Sequence, residues 1–159
     1  MARGLEHFPN LVAMFFARAM AKGEAPFLWR KSGDAWTAQS WAEVARTVSA
    51  LAAALKRLGV ARGDRVVLVS ENRPEWCIAD LAIMATGGVT VPTYTTNTER
   101  DHLHILENSG AETVIVSTAK LARALMPAVL RSTHCTRVIG IEDIRIGQSG
   151  SVDFHDWSR

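Results

Sequence analysis

The feature of the sequence that most constrains its fold is a repeated pattern between residues 63 and 142. Four short apolar segments, rich in β-branched residues, alternate with segments that are long enough to form helices. The four segments are RVVLVS (65–70), VTVP (89–92), TVIVS (113–117) and RVIGI (137–141). Strands that are apolar on both faces are typical of parallel sheets covered by helices. The sequence therefore predicts an α/β fold: a parallel sheet of about four strands, with helices on both faces and right-handed crossovers.

Residues with strong positional preferences mark the ends of the intervening helices. Pro74 suits the first turn of a helix that stops at Gly87-Gly88. Thr98 can cap a second helix, which is expected to end at Gly110. A shorter third helix is expected to be broken near Pro127, because proline lacks the N–H that an interior helical position needs.

The 62 residues before this pattern predict an N-terminal helix, a hairpin and a second helix that pack on the sheet. Asn10 can cap the first helix, and its apolar stripe consists of Leu11, Val12, Phe15, Phe16 and Ala19. The segment PFLWRKSGDAWT (26–37) reads as a hairpin with a glycine-containing turn. Ser40 and Glu43 form a capping box at the start of the second helix, and Gly59 suits the position just after its end.

The composition fits one domain of ordinary size. The chain has 159 residues, of which 48% are hydrophobic, which is enough for one substantial core. We expect residues 1–62 to pack on the sheet and residues 63–142 to form its βαβαβαβ core. Residues 143–159 have no clear period and are expected to form a loop that includes the GQSGS segment (147–151).

Charge and cysteine content exclude several classes of function. The formal net charge is +2 and 21% of the residues are charged. Since no basic stripe with interleaved aromatic residues is present, nucleic acid is not expected as a partner. Cys77 and Cys135 form no CxxC motif, so a disulfide framework or a structural zinc site is not expected, and a reducing cytoplasm is indicated. No apolar run is long enough to span a membrane.

Polar residues follow each of the four predicted strands. Ligands bind open parallel sheets beyond the carboxyl ends of the strands, where loops meet the first turns of helices. Threonine and asparagine also cap helices and form turns, so a purely structural role is an alternative interpretation for these residues. The four polar stretches are residues 70–73, 93–97, 117–118 and 142–143.

Motifs that would identify an active site are absent from these 159 residues. Neither GxxxxGK[ST] nor a GxGxxG that follows a strand occurs, so no phosphate-binding loop can be assigned. No GxSxG nucleophile elbow is present. His102 and His104 are two residues apart on a predicted helix and point in different directions, which argues against a metal pair. Motifs alone therefore predict neither catalytic residues nor a metal site in this chain.

Residues 63–117 closely resemble the N-terminal part of AMP-forming acyl-CoA synthetases of the long-chain fatty acid–CoA ligase type, within the adenylate-forming superfamily. The resemblance rests on GDRV, ENRPEW, a Gly-Gly pair before a strand, and VPTYTTNT, in that order and spacing. With the upstream hairpin and SWAEVARTVS segment it covers roughly residues 25–145. It implies the first subdomain of the adenylate-forming enzyme fold.

The resemblance also implies a function and a set of cofactors. Members of this family convert a carboxylate and ATP to an acyl-adenylate and pyrophosphate, and CoA then displaces AMP. ATP, Mg²⁺ and CoA are therefore expected for the full-length enzyme, with a fatty acid or another carboxylate as substrate. The family's ATP loop and its Mg²⁺ ligand do not occur in residues 1–159. The resemblance thus implies an inactive N-terminal fragment that contacts missing downstream domains and is prone to self-association.

Four residues match positions that approach CoA in related acetate-type ligases. Thr95, Thr96 and Asn97 follow the second predicted strand and match a segment close to the pantetheine and nucleotide of CoA. Arg123 matches a basic residue that approaches a CoA phosphate, although a solvated helix charge is the alternative interpretation. Those relatives carry glycines where this chain has Thr96 and Asn97. The ENRPEW segment is interpreted as structural, with Glu75 in the first turn of its helix and Trp76 packed under the sheet.

Two hypotheses from other classes stand beside the ligase. One is a stand-alone α/β binding or interaction module that retains this sheet without the chemistry. The other is a flavodoxin-like nucleotide binder, which the missing phosphate loop after the first strand disfavours. The ligase hypothesis places the protein in the cytoplasm and leaves a peripheral association with membranes open.

Overall fold

The computed structural model describes residues 6–144 and 150–158. Within them the helices are α1 (Leu11–Lys22), α2 (Trp41–Arg57), α3 (Pro74–Thr86), α4 (Glu99–Ser109) and α5 (Ala119–Arg131). The strands are β1 (Pro26–Ser32), β2 (Ala35–Ser40), β3 (Arg65–Val69), β4 (Val89–Thr93), β5 (Thr113–Val116), β6 (Arg137–Gly140) and β7 (Asp153–Asp156). Among the helices in this described part, none has the length and hydropathy to cross a membrane.

A five-stranded sheet forms the centre of the molecule. Its strand order is β4-β3-β5-β6-β7, and every neighbouring pair is parallel. This confirms the predicted parallel α/β sheet, with one strand more than the four apolar segments indicated. The extra strand, β7, reads Asp-Phe-His-Asp and lies at a sheet edge, where it bonds only to β6. This strand was not predicted because its polar sequence lacks the apolar pattern of the buried strands. Most of the predicted GQSGS loop lies outside the described residues.

Helices cover both faces of the sheet, as predicted. Val66 and Leu68 of β3 point toward the cluster that α1, α2 and α3 bury, while Val67 and Val69 point toward the cluster that α4 and α5 bury. All four side chains have no exposed surface. Because both faces of the central strands are buried, each strand reads as a continuous apolar run rather than as an alternation.

The N-terminal elements form where the sequence predicted them. Asn10 caps α1 through a hydrogen bond from the N–H of Ala13, and Phe15 and Ala19 form its buried side. The predicted stripe is shorter than expected, because Leu11 is 49% exposed. Strands β1 and β2 pair as an antiparallel hairpin. Both reciprocal hydrogen bonds of the predicted capping box open α2.

The helices of the sheet core also begin and end as predicted, with one exception. Pro74 occupies the first turn of α3, and Gly87 closes that helix in a left-handed conformation. Thr98 caps α4. The expectation that the third helix breaks near Pro127 was wrong, because α5 continues to Arg131. Pro127 is exposed, and the residues on either side of it, Leu125, Met126, Ala128 and Val129, are buried and hold the helix against the sheet.

Two arginines, each the first residue of a strand, donate hydrogen bonds to backbone carbonyls at the C-terminal ends of helices. Arg65 donates from Nε to the carbonyl of Ser109 at 2.6 Å and from Nη2 to the carbonyl of Gly110 at 3.2 Å, at the end of α4. Arg137 donates to the carbonyl of Leu58 at the end of α2. Carbonyls at a helix C-terminus lack partners within the helix, and a cation there also complements the helix dipole.

Candidate functional site

The carboxyl ends of the five parallel strands meet at one edge of the sheet. The chain leaves β3 toward β4 on one side, whereas β5 leads to β6 on the other side. The order of strands therefore reverses between β3 and β5, which is where open α/β sheets commonly bind ligands. The polar stretches 70–73 and 117–118 flank this position, and residues 94–97 follow the edge strand β4.

The position between β3 and β5 is closed by the chain's own polar groups. Ser70 and Ser117 are 6% and 0% exposed. The Ser117 hydroxyl donates to the carboxylate of Glu71, and the Ser70 hydroxyl donates to the Glu71 carbonyl at 2.9 Å. Because both hydroxyls that would meet a nucleotide phosphate here already donate to Glu71, one to its carboxylate and one to its backbone carbonyl, this geometry does not favour a flavodoxin-like nucleotide site.

An ion-pair network around Arg73 extends this closure. Arg73 is 17% exposed, and its guanidinium lies 2.8 Å from the Glu75 carboxylate, 2.7 Å from Glu142 and 3.6 Å from Glu71. Arg30 of the hairpin also pairs with Glu75. The network joins the hairpin, the loop after β3, the first turn of α3 and the end of β6. It agrees with the structural interpretation of ENRPEW, but its two distant partners, Arg30 and Glu142, lie too far away in sequence to have been found from motifs.

The loop after β4 is open to solvent. A turn closes it, with the N–H of Asn97 donating to the Tyr94 carbonyl at 3.3 Å, and Tyr94 is 80% exposed. Thr95 and Thr96 are exposed, Asn97 is half-buried, and their side chains form no hydrogen bond within the described residues. The Thr93 hydroxyl at the root of the loop is buried without a hydrogen-bond partner. The side chains of Thr95, Thr96 and Asn97 are therefore available to a polar ligand, whereas burial shields the Thr93 hydroxyl.

The side chain of Thr98, the next threonine in the sequence, is not available to a ligand. Thr98 accepts a hydrogen bond from the N–H of Asp101 and donates its own N–H and hydroxyl to the Asp101 carboxylate, at 2.9 and 2.8 Å. These bonds hold the pKa of Asp101 below its usual range. The capping interpretation of Thr98 is confirmed, which separates this residue from the open loop before it.

Arg123 lies in α5, near the start of that helix. It is exposed and forms no ion pair or hydrogen bond with the residues described. Arg123 belongs to the helix that follows β5, whereas residues 95–97 follow β4, and β3 lies between these two strands. A ligand that touches both must reach across the end of β3.

Burial shifts the pKa values of three side chains that could act as bases or nucleophiles, His102, Cys77 and Cys135. Burial lowers the pKa of His102, whereas His104 on the same helix is exposed, so the two rings diverge as predicted. Burial raises the pKa of Cys135 to about 11 and also raises the pKa of Cys77, which keeps both thiols protonated at neutral pH. Among residues 6–144 and 150–158, no three His, Cys, Asp or Glu side chains are grouped to hold a metal ion.

Solved structures of adenylate-forming ligases share this fold. Coronafacic Acid Ligase from Pectobacterium brasiliense has a TM-score of 0.82 and 18% identity, over 94% of this chain and 28% of that chain. A benzoate CoA ligase from Burkholderia xenovorans LB400 has a TM-score of 0.73 and 26% identity, over 85% and 26% of the two chains. The long-chain-fatty-acid-CoA ligase FadD1 from Archaeoglobus fulgidus has a TM-score of 0.74 and 19% identity, over 93% and 29%. These matches show that the chain has the fold of an α/β domain found in these ligases.

Sequence comparison then gives the family. Residues 15–155 match the family described as AMP-binding enzyme, and the chain belongs to it. The long-chain-fatty-acid–CoA ligase FadD15 of Mycobacterium tuberculosis is 38% identical over 109 residues, which are 69% of this chain and 18% of that protein. The long-chain-fatty-acid–CoA ligase ACSBG2 of Xenopus laevis is 26% identical over 136 residues, which are 85% of this chain and 18% of that protein. The resemblance stated from the sequence is confirmed, and the chain spans less than a fifth of these relatives.

Proposed function

We propose that this chain is the N-terminal part of an ATP-dependent, AMP-forming fatty acid–CoA ligase, an acid–thiol ligase. The carboxylate of the acid attacks the α-phosphorus of ATP and displaces pyrophosphate. The CoA thiol then attacks the acyl carbonyl, and AMP leaves with the phosphate oxygen. The observation that supports this proposal most directly is the family match over residues 15–155, together with relatives named long-chain-fatty-acid–CoA ligases.

The chemistry of adenylation is assigned to parts of the ligase beyond these 159 residues. No phosphate-binding loop motif occurs in the sequence, and the described residues include no group of three His, Cys, Asp or Glu side chains that could hold a metal ion. We expect the isolated chain to be inactive and to contact the downstream domains of the enzyme. The two free cysteines fit a reducing cytoplasm.

The loop after β4 and Arg123 are proposed to bind CoA. Pantetheine carries two amide groups, and the hydroxyls of Thr95 and Thr96 with the amide of Asn97 offer both donors and acceptors to them. The exposed, unpaired guanidinium of Arg123 suits a CoA phosphate, because arginine pairs with phosphate through two parallel hydrogen bonds. Since Thr96 and Asn97 replace glycines of related ligases, side chains rather than the backbone would form these bonds.

The test is kinetic and uses the full-length ligase. We expect Arg123→Ala to raise the KM for CoA about tenfold, since loss of a hydrogen-bonded charge pair costs about 1.5 kcal/mol. ATP–pyrophosphate exchange takes place before the CoA thiol reacts, so we expect its rate to stay unchanged. Arg46→Ala, which removes an exposed arginine from α2 on the other face of the sheet, is the matched control. Equal KM values for CoA in both variants would refute the assignment of Arg123.

The activity of the full-length protein distinguishes the ligase hypothesis from the alternative, a binding module. Fatty-acid-dependent ATP–pyrophosphate exchange by the full-length protein would establish the ligase, and its absence with carboxylic acids of every chain length would favour the module. The chain in isolation is expected to self-associate, because it exposes Trp29, Trp36 and Val89 by 53%, 62% and 50%. Light scattering measures this directly, and a strict monomer would contradict it.

A further inference from the structure

A buried hydroxyl lies between β4 and α4, at the carboxyl edge of the sheet. Thr93 is the last residue of β4 and pairs with Val69 of β3 in the parallel register. Residues paired in this way point to the same face of the sheet, and Val69 packs in the cluster that α4 and α5 bury. The Thr93 side chain therefore points toward α4. Its hydroxyl oxygen is buried and has no hydrogen-bond partner in the described part of the chain.

A buried imidazole approaches the same layer from the helix. His102 lies four residues before Leu106 on α4, so both side chains are on the same side of the helix. Leu106 is fully buried in the cluster that contains Val69, which places His102 over the carboxyl ends of the strands. His102 is 3% exposed, and its Nδ1 is buried with no hydrogen-bond partner among the residues described.

Two unpaired polar atoms in one buried layer are unfavourable, because each loses its hydrogen bonds to solvent on folding. The two atoms do not bond to each other. Since burial lowers the pKa of His102, its ring is neutral at pH 7, and Nδ1 can accept or donate according to its tautomer. A threonine hydroxyl also both donates and accepts, so one water molecule can serve both groups, as buried water commonly does.

The same two residues enclose the loop after β4. Thr93 directly precedes residues 94–97, and His102 closes the first turn of the helix that follows them, through the bond from its N–H to the Thr98 carbonyl at 3.0 Å. The loop has a turn of its own, from the Asn97 N–H to the Tyr94 carbonyl. A link between residues 93 and 102 would fix both ends of this turn relative to each other.

We propose that a buried water molecule bridges the Thr93 hydroxyl and Nδ1 of His102, and that His102 is thereby a positioning residue for the loop of residues 94–97. This inference rests on the proposed function, in which residues 95–97 of this loop bind CoA. His102 itself touches neither CoA nor the reacting atoms. It acts through the water and Thr93 on the place where the loop leaves the sheet.

The first experiment measures kinetics of the full-length ligase. We expect His102→Leu, which fills the space but removes Nδ1, to raise the KM for CoA about fivefold. The KM for the acid and the rate of ATP–pyrophosphate exchange, a reaction without CoA, are expected to change less than about twofold. His102→Asn, whose side-chain amide can reach the position of Nδ1, is expected to restore most of the affinity for CoA. An unchanged KM for CoA in His102→Leu would overturn the positioning role.

The second experiment measures thermal unfolding of the 159-residue chain and does not depend on ligase activity. We expect Thr93→Val to lower the thermal midpoint by about 3 °C, and the combination of Thr93→Val with His102→Leu to lower it no further than the more damaging single change. Thr90→Val is the matched control. Its hydroxyl is also buried without a partner among the described residues, but Thr90 pairs with Val66 and therefore points to the opposite face of the sheet.

The outcomes separate the bridge from the ligase. A higher midpoint for Thr93→Val would show that its hydroxyl has no partner, and fully additive effects of Thr93→Val and His102→Leu would show that the two groups share none; either result overturns the proposal. Thr90→Val and His102→Leu are expected to be additive, and coupling as strong as that of Thr93 would also refute the bridge. Absence of ATP–pyrophosphate exchange by the unaltered full-length protein would refute the proposed function, whereas the stability measurements would still decide the bridge.

Discussion

The contribution of Arg65 to stability can be worked out from its contacts. Its guanidinium bonds to the Ser109 carbonyl at 2.6 Å, to the Gly110 carbonyl at 3.2 Å and to the Gly63 carbonyl at 3.2 Å. It thereby ties the first residue of β3 to the end of α4, more than forty residues later. The substitution Arg65→Met removes this fork of donors and keeps the apolar stem of the side chain.

The expected loss of unfolding free energy is about 2 kcal/mol. Hydrogen bonds to charged groups contribute about 1.5–3 kcal/mol when well shielded. Arg65 is exposed, so we take about 0.7 kcal/mol for each of its two bonds to α4 and about 0.5 kcal/mol for its favourable position at the negative end of the helix dipole. With a urea m-value of about 1.5 kcal/mol/M, the midpoint of unfolding falls by about 1.3 M.

Urea unfolding, followed by circular dichroism, measures this shift in the 159-residue chain. Arg123→Met is the matched control, because it removes an exposed arginine that has no partner among the described residues, and it is expected to change stability by less than about 0.5 kcal/mol. Arg65→Lys keeps the charge but loses the fork, and we expect an intermediate loss. If Arg65→Met is as stable as Arg123→Met, water replaces the guanidinium at these carbonyls without cost, and the reasoning fails.

Three further predictions concern single positions. Pro127→Ala is expected to raise the free energy of unfolding by roughly 1–2 kcal/mol, because alanine restores an N–H within α5; a lower thermal midpoint would contradict this. Gly140→Ala places a Cβ 2.6 Å from Cγ1 of Ile144 and 2.7 Å from the backbone carbonyl oxygen of Glu142, and we expect a loss of roughly 1–3 kcal/mol in chemical denaturation; an unchanged midpoint would contradict this. The Thr133 N–H and neighbouring hydroxyls hold the pKa of Glu107 below its ordinary value of 4.5, so its stabilisation is present above that pH and is lost as the pH falls through the lower folded value. Glu107→Gln should therefore flatten the acid side of a stability profile measured across this range, and an unchanged slope would count against it.

The candidate site was predictable only in part. Residues 95–97 were placed at the carboxyl edge because parallel strands align their ends, and the structure has Thr95 and Thr96 exposed and Asn97 half-buried there. Their proposed contacts with CoA stay a prediction. The closure between β3 and β5 could not be read from the sequence, since the bond from Ser117 to Glu71 and the pair of Arg73 with Glu142 join residues 46 and 69 positions apart.

The sequence by itself determined where most elements begin and end. The capping residues Asn10, Ser40 and Thr98 bond to backbone groups three residues away. Because this effect is local, it can be predicted from the sequence. The apolar runs of β3 and β5 likewise predicted buried parallel strands, because burial on both faces leaves no place for polar residues.

Only the tertiary structure decided the strand order, the strand character of β7 and the path of α5 through Pro127. Residues 153–156 form a strand because β6 offers free backbone groups at the sheet edge, not because their own side chains favour one. The buried neighbours of Pro127 outweigh its missing hydrogen bond. In each case the deciding energy comes from contacts with residues distant in sequence, and such contacts exist only once the sheet has assembled.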